Sequence, residues 1–423
     1  MAKTNTKELK GGLGAVKGLQ VAGVSAGFRK NPERLDLALI VAPPTSTAAG
    51  VFTQSNFAAA PVSVSREHLA SQAEGKGFRA LIINSGNANA ATGKEGLVTA
   101  KQACSLVSEI IKCDEEEVLV ASTGVIGAQL PYKPFSVGVP LAVNLLGAGR
   151  GESISMGLST AEAIMTTDTF PKTAARSFVL YAADGTEVTY TVGGMAKGSG
   201  MIAPHMATMI AVLATDARIE QAALQQALKE AVDLSFNKVT IDSDTSTNDS
   251  AYLIATGAAN PKEALQPGSE AFEAFKAVLR EVCQDLTYQI AEDGEGATKV
   301  IVVDVTGAAN SKDADLVARA IADSPLVKTT VAGHDANWGR IAMAAGKAGA
   351  SFKQEEVSIS ILDLEVFVNG TPVEFSEEEA LKRFKERSEV FISVNLGAGE
   401  AATRIWTCDL TKEYVAINGD YRS

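Results

Sequence analysis

Histidine, cysteine and positive charge are all scarce in this chain. Of 423 residues only three are histidine (His68, His205 and His334) and four are cysteine (Cys104, Cys113, Cys283 and Cys408). No H-x-x-x-H or H-x-E spacing exists, which argues against a histidine-based metal site. The cysteines are scattered with no C-x-x-C pair, which excludes a disulfide scaffold or a zinc site and predicts reduced, buried thiols. The net charge is -12, and no Lys/Arg cluster interleaves with aromatics, which argues against a groove for nucleic acid. There is no G-x-S-x-G elbow and no G-x-x-x-x-G-K-[ST] phosphate loop. The uncharged stretch Leu37 to Ser65 carries prolines and polar residues and is no membrane span. The opening M-A-K-T-N-T-K-E-L-K lacks an apolar core and holds an early Glu, so neither a signal nor a transit peptide is expected, and a cytoplasmic protein is.

What remains is a chain with ample apolar residues, 46% of the total, enough for a large core. A-L-I-V-A (38–42), A-L-I-I-N (80–84), E-V-L-V-A (117–121) and K-V-I-V-V-D-V (299–305) predict buried strands. Residues 98–112 and 219–233 carry apolar side chains at helical spacing. Near the C-terminus, S-I-S-I-L-D-L-E-V-F-V and the run after N-G-T-P predict a hairpin, followed by a helix with Ser376 as N-cap. The fold class read from these elements is mixed α/β with substantial antiparallel pairing. G-G-L-G-A-V-K-G resembles a dinucleotide fingerprint, but no strand is expected before it, so it is discounted.

The loops say more than the elements. N-S-G-N-A-N-A-A-T-G (84–93), A-S-T-G-V-I-G (121–127), D-S-D-T-S-T-N-D-S (242–250), E-D-G-E-G-A-T-K (292–299) and G-H-D-A-N-W-G-R (333–340) are rich in small residues. Such residues let backbone N–H groups approach a ligand closely, and their number predicts convergence on one site. D-S-D-T-S-T-N-D-S lacks the glycine and terminal Glu of an EF-hand loop and reads better as a polar turn.

K-G-S-G-M-I-A-P-H-M-A-T-M (197–209) runs a Gly/Pro loop into Thr208, ahead of an apolar strand. An internal threonine has no base of its own. Cutting the Ala207–Thr208 bond would give it one, an α-amine of pKa about 7.7–8.0. On physics alone, Thr208 as an ordinary strand residue stays the leading reading.

This segment is similar to the self-cleavage segment of the ornithine acetyltransferase family (glutamate N-acetyltransferases of arginine biosynthesis). The five loops, M-T-T-D-T-F-P-K (165–172) and the terminal Y-V-A-I-N-G-D-Y resemble the same family, in order along nearly the whole chain. One position departs: His205 stands where the family more often has Asn. The resemblance implies an αββα sandwich with a smaller C-terminal α/β lobe, cut into an α chain (1–207) and a β chain (208–423). It implies Thr208 as nucleophile in a ping-pong transfer of acetyl from N-acetylornithine to glutamate, with Thr123 and Gly124 as oxyanion donors. Thr166, Lys197, Thr208, Glu295, Asn418 and Ser423 would bind substrate, Thr167 being the alternative register for Thr166. No cofactor is expected, although some members also use acetyl-CoA as donor, and the αβ units would form a heterotetramer or larger. An N-terminal-nucleophile amidase or aminopeptidase of the same fold is the alternative enzyme. A binding module whose loops cradle an anionic metabolite is the non-enzymatic one.

Overall fold

A computed structural model describes residues 6–73, 75, 77–146, 153–181, 185–203, 209–260 and 262–420. Contacts divide the chain into two units, the first built from residues 1–198, 204–237 and 245–286 and the second from 199–203, 238–244 and 287–423.

The first unit contains β1 (Thr6–Glu8), β2 (Gln20–Val24), β3 (Leu37–Phe52), β4 (Phe78–Asn87), β5 (Val118–Val125), β6 (Lys172–Tyr181), β7 (Glu187–Lys197), β8 (Ile210–Thr215) and β9 (Ser250–Ala255). They hydrogen-bond in the order β1-β6-β7-β8-β9-β3-β4-β5, with β2 also beside β3. β3 is the hinge of this arrangement. Its residues 37–41 lie between β2 and β4, whereas residues 47–52 pair with β9. Between the two stretches stand Pro43 and Pro44, which have no N–H to give a ladder, and the register with β4 breaks between Val41 and Ser46. One strand therefore turns a corner and serves two sheets.

Alternation along the strands separates the layers. Ile40, Leu81, Ile83 and Leu119 share a core with Ile210, Val212, Ala214, Tyr252 and Ile254, so the two sheets pack face to face. The intervening residues Leu39, Val41, Ala80, Ile82 and Val120 point the other way, onto Ala100, Cys104 and Val107 of helix Gly93–Ile111 and Phe135 and Val139 of helix Lys133–Leu145. Helix Gln221–Asp233 packs on β3 and β9. On the same sheet, a Cβ at Gly194 of β7 would meet Leu213 at 2.7 Å and Leu286 of helix Glu270–Glu292 at 3.1 Å. Helix, sheet, sheet, helix is the resulting order, the αββα sandwich that the resemblance implies.

The second unit holds β10 (Val300–Ala308), β11 (Ser358–Ile361), β12 (Leu364–Val368), β13 (Thr371–Pro372), β14 (Glu389–Asn395) and β15 (Ala401–Cys408), ordered β13-β12-β11-β14-β10-β15. Only β10 and β14 run parallel. Ile301, Val303, Ile359, Ile392 and Val394 pack with Val317, Ile321 and Phe384 from helices Ser311–Ala322 and Glu377–Glu386.

Three expectations need correction. The first hairpin run does not stay one strand: Leu362 (φ 52°) and Asp363 (φ 64°) reverse the chain between β11 and β12, before Asn369-Gly370 reverses it again. A leucine in left-handed backbone is unfavourable locally, and its complete burial offsets that cost. A strand, β1, does precede G-G-L-G-A-V-K-G, but the motif folds only a four-residue 3₁₀ turn, Gly12–Ala15, not the α-helix a dinucleotide site needs. No disulfide forms among the described residues, yet Cys113 is only half-buried, and burial still pushes its thiol up to about 11. Among the described residues no helix is long and apolar enough to cross a membrane.

Ser376 caps its helix as expected, its hydroxyl accepting from Glu379 N at 3.1 Å. Ser376→Ala should cost about 1 kcal/mol, measured as a lowered denaturation midpoint in urea with an unchanged slope.

Candidate active site

β7 ends in Lys197, which pairs with Ile210 at the start of β8, and Ile210 pairs in turn with Ser250 of β9. Met209 is 2% exposed and its carbonyl accepts from Ser250 N at 3.0 Å. Thr208 is one peptide bond from this buried strand start. Thr208, Ala207, His205 and Ser423 themselves lie outside the described residues.

The oxyanion candidates occupy the end of β5, where Thr123 and Gly124 pair with Ser85 and Gly86 of β4. Gly124 has φ 133°, and a Cβ there would come within 2.3 Å of Gly86 C, so only glycine permits this close approach. Asn248 ties this sheet end to the start of β8. Its Nδ2 donates to Ser122 O at 2.9 Å and Ala88 O at 2.6 Å, two residues before the Ser250 that holds Met209. Ser122 Oγ also donates to Asn84 Oδ1 at 2.7 Å. Loops 84–93 and 121–127 and residues 245–250 thus do meet.

Around Lys197 the decisive group is Asp168, which the sequence reading passed over for its neighbour Thr166. The Asp168 and Lys172 side chains are fully buried and 2.7 Å apart. Asp168 also accepts from Gly198 N at 2.7 Å and Thr166 N at 2.8 Å. Burial alone would raise its pKa. The charges of Lys197 and Lys172, with the hydrogen bonds from Lys172 and Thr166, outweigh that and hold it well below the usual carboxylate range. Of the two adjacent threonines, Thr166 is the one whose backbone N–H this carboxylate holds. The signal available in the sequence was the Asp-x-x-x-Lys spacing inside M-T-T-D-T-F-P-K.

Glu295 and Asn418 stand in the second unit. Glu295 is 8% exposed and accepts from Asn418 Nδ2 at 2.7 Å. A Cβ on Gly200 would lie 2.3 Å from Glu295 Oε2, so the backbone of this glycine is the wall against which the carboxylate rests. Thr411 Oγ donates to Gly296 O at 2.6 Å and caps helix Lys412–Gly419, which carries Asn418. Asp242 accepts from Met201 N at 2.6 Å, Ile202 N at 2.8 Å and Tyr414 Oη at 3.2 Å. The C-terminal helix is therefore anchored beside Glu295. Loop 333–340 plays a local part instead: Asn337 caps helix Trp338–Gly346, and Trp338 stacks on Phe367 at 5.1 Å.

The ArgJ family model matches residues 20–423. The arginine biosynthesis bifunctional protein ArgJ of Symbiobacterium thermophilum is 44% identical over 417 residues, covering 98% of this chain and 99% of its own length. Its counterpart in Agrobacterium fabrum is 44% identical over 415 residues, 97% of this chain and 96% of its own. The mitochondrial ArgJ of the fungus Fusarium vanettenii is 44% identical over 425 residues, 96% and 92%. Among solved structures, the arginine biosynthesis bifunctional protein of Bacillus halodurans is 47% identical, with 49% of this chain and 96% of that chain covered and a TM-score of 0.47. Ornithine acetyltransferase of Mycobacterium tuberculosis, complexed with ornithine, is 37% identical, with 48% and 100% covered and a TM-score of 0.41.

Replacing Asp168 by Asn leaves Lys172 buried without its anion and should cost about 3–5 kcal/mol, read as urea stability at pH 7. The sign with pH follows from the depressed folded pKa. The wild-type contribution is complete above the unfolded value of about 3.9 and disappears as pH falls through the lower folded value. The gap between wild type and variant should close on acidification, and a gap independent of pH would contradict the ionised pair.

Proposed function

The chain belongs to the ArgJ family and is an acetyltransferase of arginine biosynthesis, and on that premise we propose that it cuts itself between Ala207 and Thr208 and carries acetyl groups on Thr208. In this reading Thr208 Oγ attacks the Ala207 carbonyl, the C–N bond breaks as the hydroxyl proton passes to nitrogen, and water opens the ester. An α chain (1–207) and a β chain (208–423) result. The new α-amine then serves as base to the adjacent hydroxyl.

The Asn248 bridge is the observation that carries this proposal. It fixes the strand end bearing Thr123 and Gly124 to the strand start that follows Thr208. A hydroxyl and a backbone N–H placed there suit the oxyanion formed when N-acetylornithine meets Thr208. Ornithine leaves, glutamate enters, and its amine takes the acetyl group. One amide is broken and another made, so no nucleotide and no bound cofactor is needed; acetyl-CoA serves as a second donor. Lys197, with Thr166 beside it, pairs with the substrate α-carboxylate. Glu295, held by Asn418, receives the amine, and Ser423 completes the C-terminal contribution. The αβ units assemble as a heterotetramer or larger, and the enzyme works in the cytoplasm.

Intact mass under denaturing conditions tests the cut. Two fragments meeting at Ala207/Thr208 are expected in the wild type and one unbroken chain in Thr208→Ala; an uncut wild type would return Thr208 to an ordinary strand residue. Acetyl transfer from N-acetylornithine to glutamate is the companion assay, and release of acetate faster than formation of N-acetylglutamate would favour the amidase instead. Glu295→Gln should raise KM for N-acetylornithine about tenfold or more, the equivalent of roughly 1.5–3 kcal/mol for a hydrogen bond to a charged group, with a smaller change in kcat.

A further inference from the structure

Helix Ser153–Ala163 runs into the turn that carries Thr166. Carbonyls at a helix end lack partners within the helix, and here side chains from other parts of the chain take them. Ser85 Oγ, buried on β4, donates to Ala163 O at 2.8 Å. The Arg29 guanidinium donates from Nη2 to Met165 O and from Nε to that same Ser85 Oγ at 3.3 Å. Arg34 Nη2 donates to Thr166 O at 3.2 Å.

Arg29 joins two places that the chemistry needs together. Ser85 pairs with Thr123, and Gly86 with Gly124. A Cβ on Gly86 would lie 3.2 Å from Arg29 Cγ, so the arginine stem lies across the glycine beside Gly124. One planar fork of donors thus touches the strand end of the oxyanion candidates and the turn of the substrate-binding threonine. The backbone beneath it is fixed to the same strands. Asp36, fully buried just before β3, accepts from Arg29 N at 2.9 Å, Ala26 N at 2.6 Å and Gly27 N at 3.2 Å. Gly27 has φ 94°, a left-handed conformation that favours glycine and bends the loop round the carboxyl group. The Asp36 carbonyl in turn accepts from Ser85 N at 2.9 Å. A helix end needs only a cation near its last carbonyls; this guanidinium also reaches a hydroxyl on a separate strand.

We propose that Arg29 is a positioning residue for acetyl transfer, its guanidinium holding the turn of Thr166 in register with the strand end of Thr123 and Gly124. The inference rests on the reading of Thr123 and Gly124 as oxyanion donors and of Thr166 as a substrate contact. In N-acetylornithine the α-carboxylate and the acetyl carbonyl are separated by one carbon and one amide nitrogen. So short a span cannot absorb a displaced turn. An error in the turn passes directly to the carbonyl that must meet the oxyanion donors, so alignment is lost while binding is kept.

The test compares kcat and KM for N-acetylornithine in wild type, Arg29→Ala and Arg29→Lys, each first shown by intact mass to be cut. Arg29→Ala should lose about a hundredfold in kcat with KM little changed, the pattern of an interaction that serves the transition state. Added guanidinium ion should restore part of that loss. Arg29→Lys should stay impaired, because an ammonium group has no planar fork to span Met165 O and Ser85 Oγ. A lowered denaturation midpoint with kcat intact would make Arg29 a helix cap and overturn the inference. A raised KM at unchanged kcat, or a fully active Arg29→Lys, would overturn it too. If Arg29→Ala does not fold or is not cut, Ser85→Ala, which removes the strand-side partner of the guanidinium, must show the same fall in kcat at steady KM; an unchanged kcat there is equally fatal. Thr123→Ala, run alongside, tests the underlying reading by itself: an undiminished kcat in that variant defeats the oxyanion assignment, whatever Arg29 does.

Discussion

The carboxamide of Asn248 holds the sandwich together where its chemistry would take place. By donating to Ser122 O and Ala88 O it closes the end of one sheet onto the loop that feeds β9, and β9 in turn fixes Met209. An amide nitrogen has two protons to give, and here both go to backbone carbonyls, one in β5 and one just after β4. A side chain offering one donor, or none, would leave a buried carbonyl unmatched and let the two sheet ends drift. The precision required of an oxyanion site is a fraction of an ångström, and backbone-to-amide bonds on rigid strands are a means of supplying it.

Charge in this interior is distributed by hydrogen-bond supply. Asp168 collects two backbone N–H groups and a buried ammonium, so it is ionised despite its burial. Asp249 is as deeply buried, and there burial pushes the carboxyl well above the usual carboxylate range. Lys197 stands by both. The same residue type is thereby held below the usual carboxylate range at one position and pushed above it at the other, and the difference lies in the groups around each rather than in distance from solvent.

Much of this was legible in the sequence. The runs at 38–42 and 80–84 lie inside β3 and β4, and that at 299–305 falls in β10 from its second residue on, because strands buried on both faces leave little freedom in composition. Ser376 announces its helix through local chemistry alone. The corner in β3 was written as Pro43-Pro44, although only the two-sheet context gives those prolines their meaning. Other features were not readable. Leu362 turns the chain because the core claims its side chain, against its backbone preference. Asn248 and Asp249 sit in D-S-D-T-S-T-N-D-S among polar residues of similar turn propensity, and nothing local marks the two that reach a distant strand. Gly200 is equally silent until the Glu295 carboxylate is found resting against it.

The order of strands in the first unit bears on how such a molecule can be made at all. β8 and β9 lie side by side in the interior of the sheet, flanked by β7 and β3, and a break after Ala207 would assign the inner pair to one polypeptide and both flanking strands to the other. Neither polypeptide alone could form a continuous sheet: one would have a gap in its middle and the other a ribbon with two bare edges, prone to pair with whatever strand it met. The two pieces would be interleaved, not adjoining, and pieces so interleaved are hard to put together from separate stocks. The peptide bond at that point would then be a tether for assembly, required until the sheet has closed and dispensable thereafter.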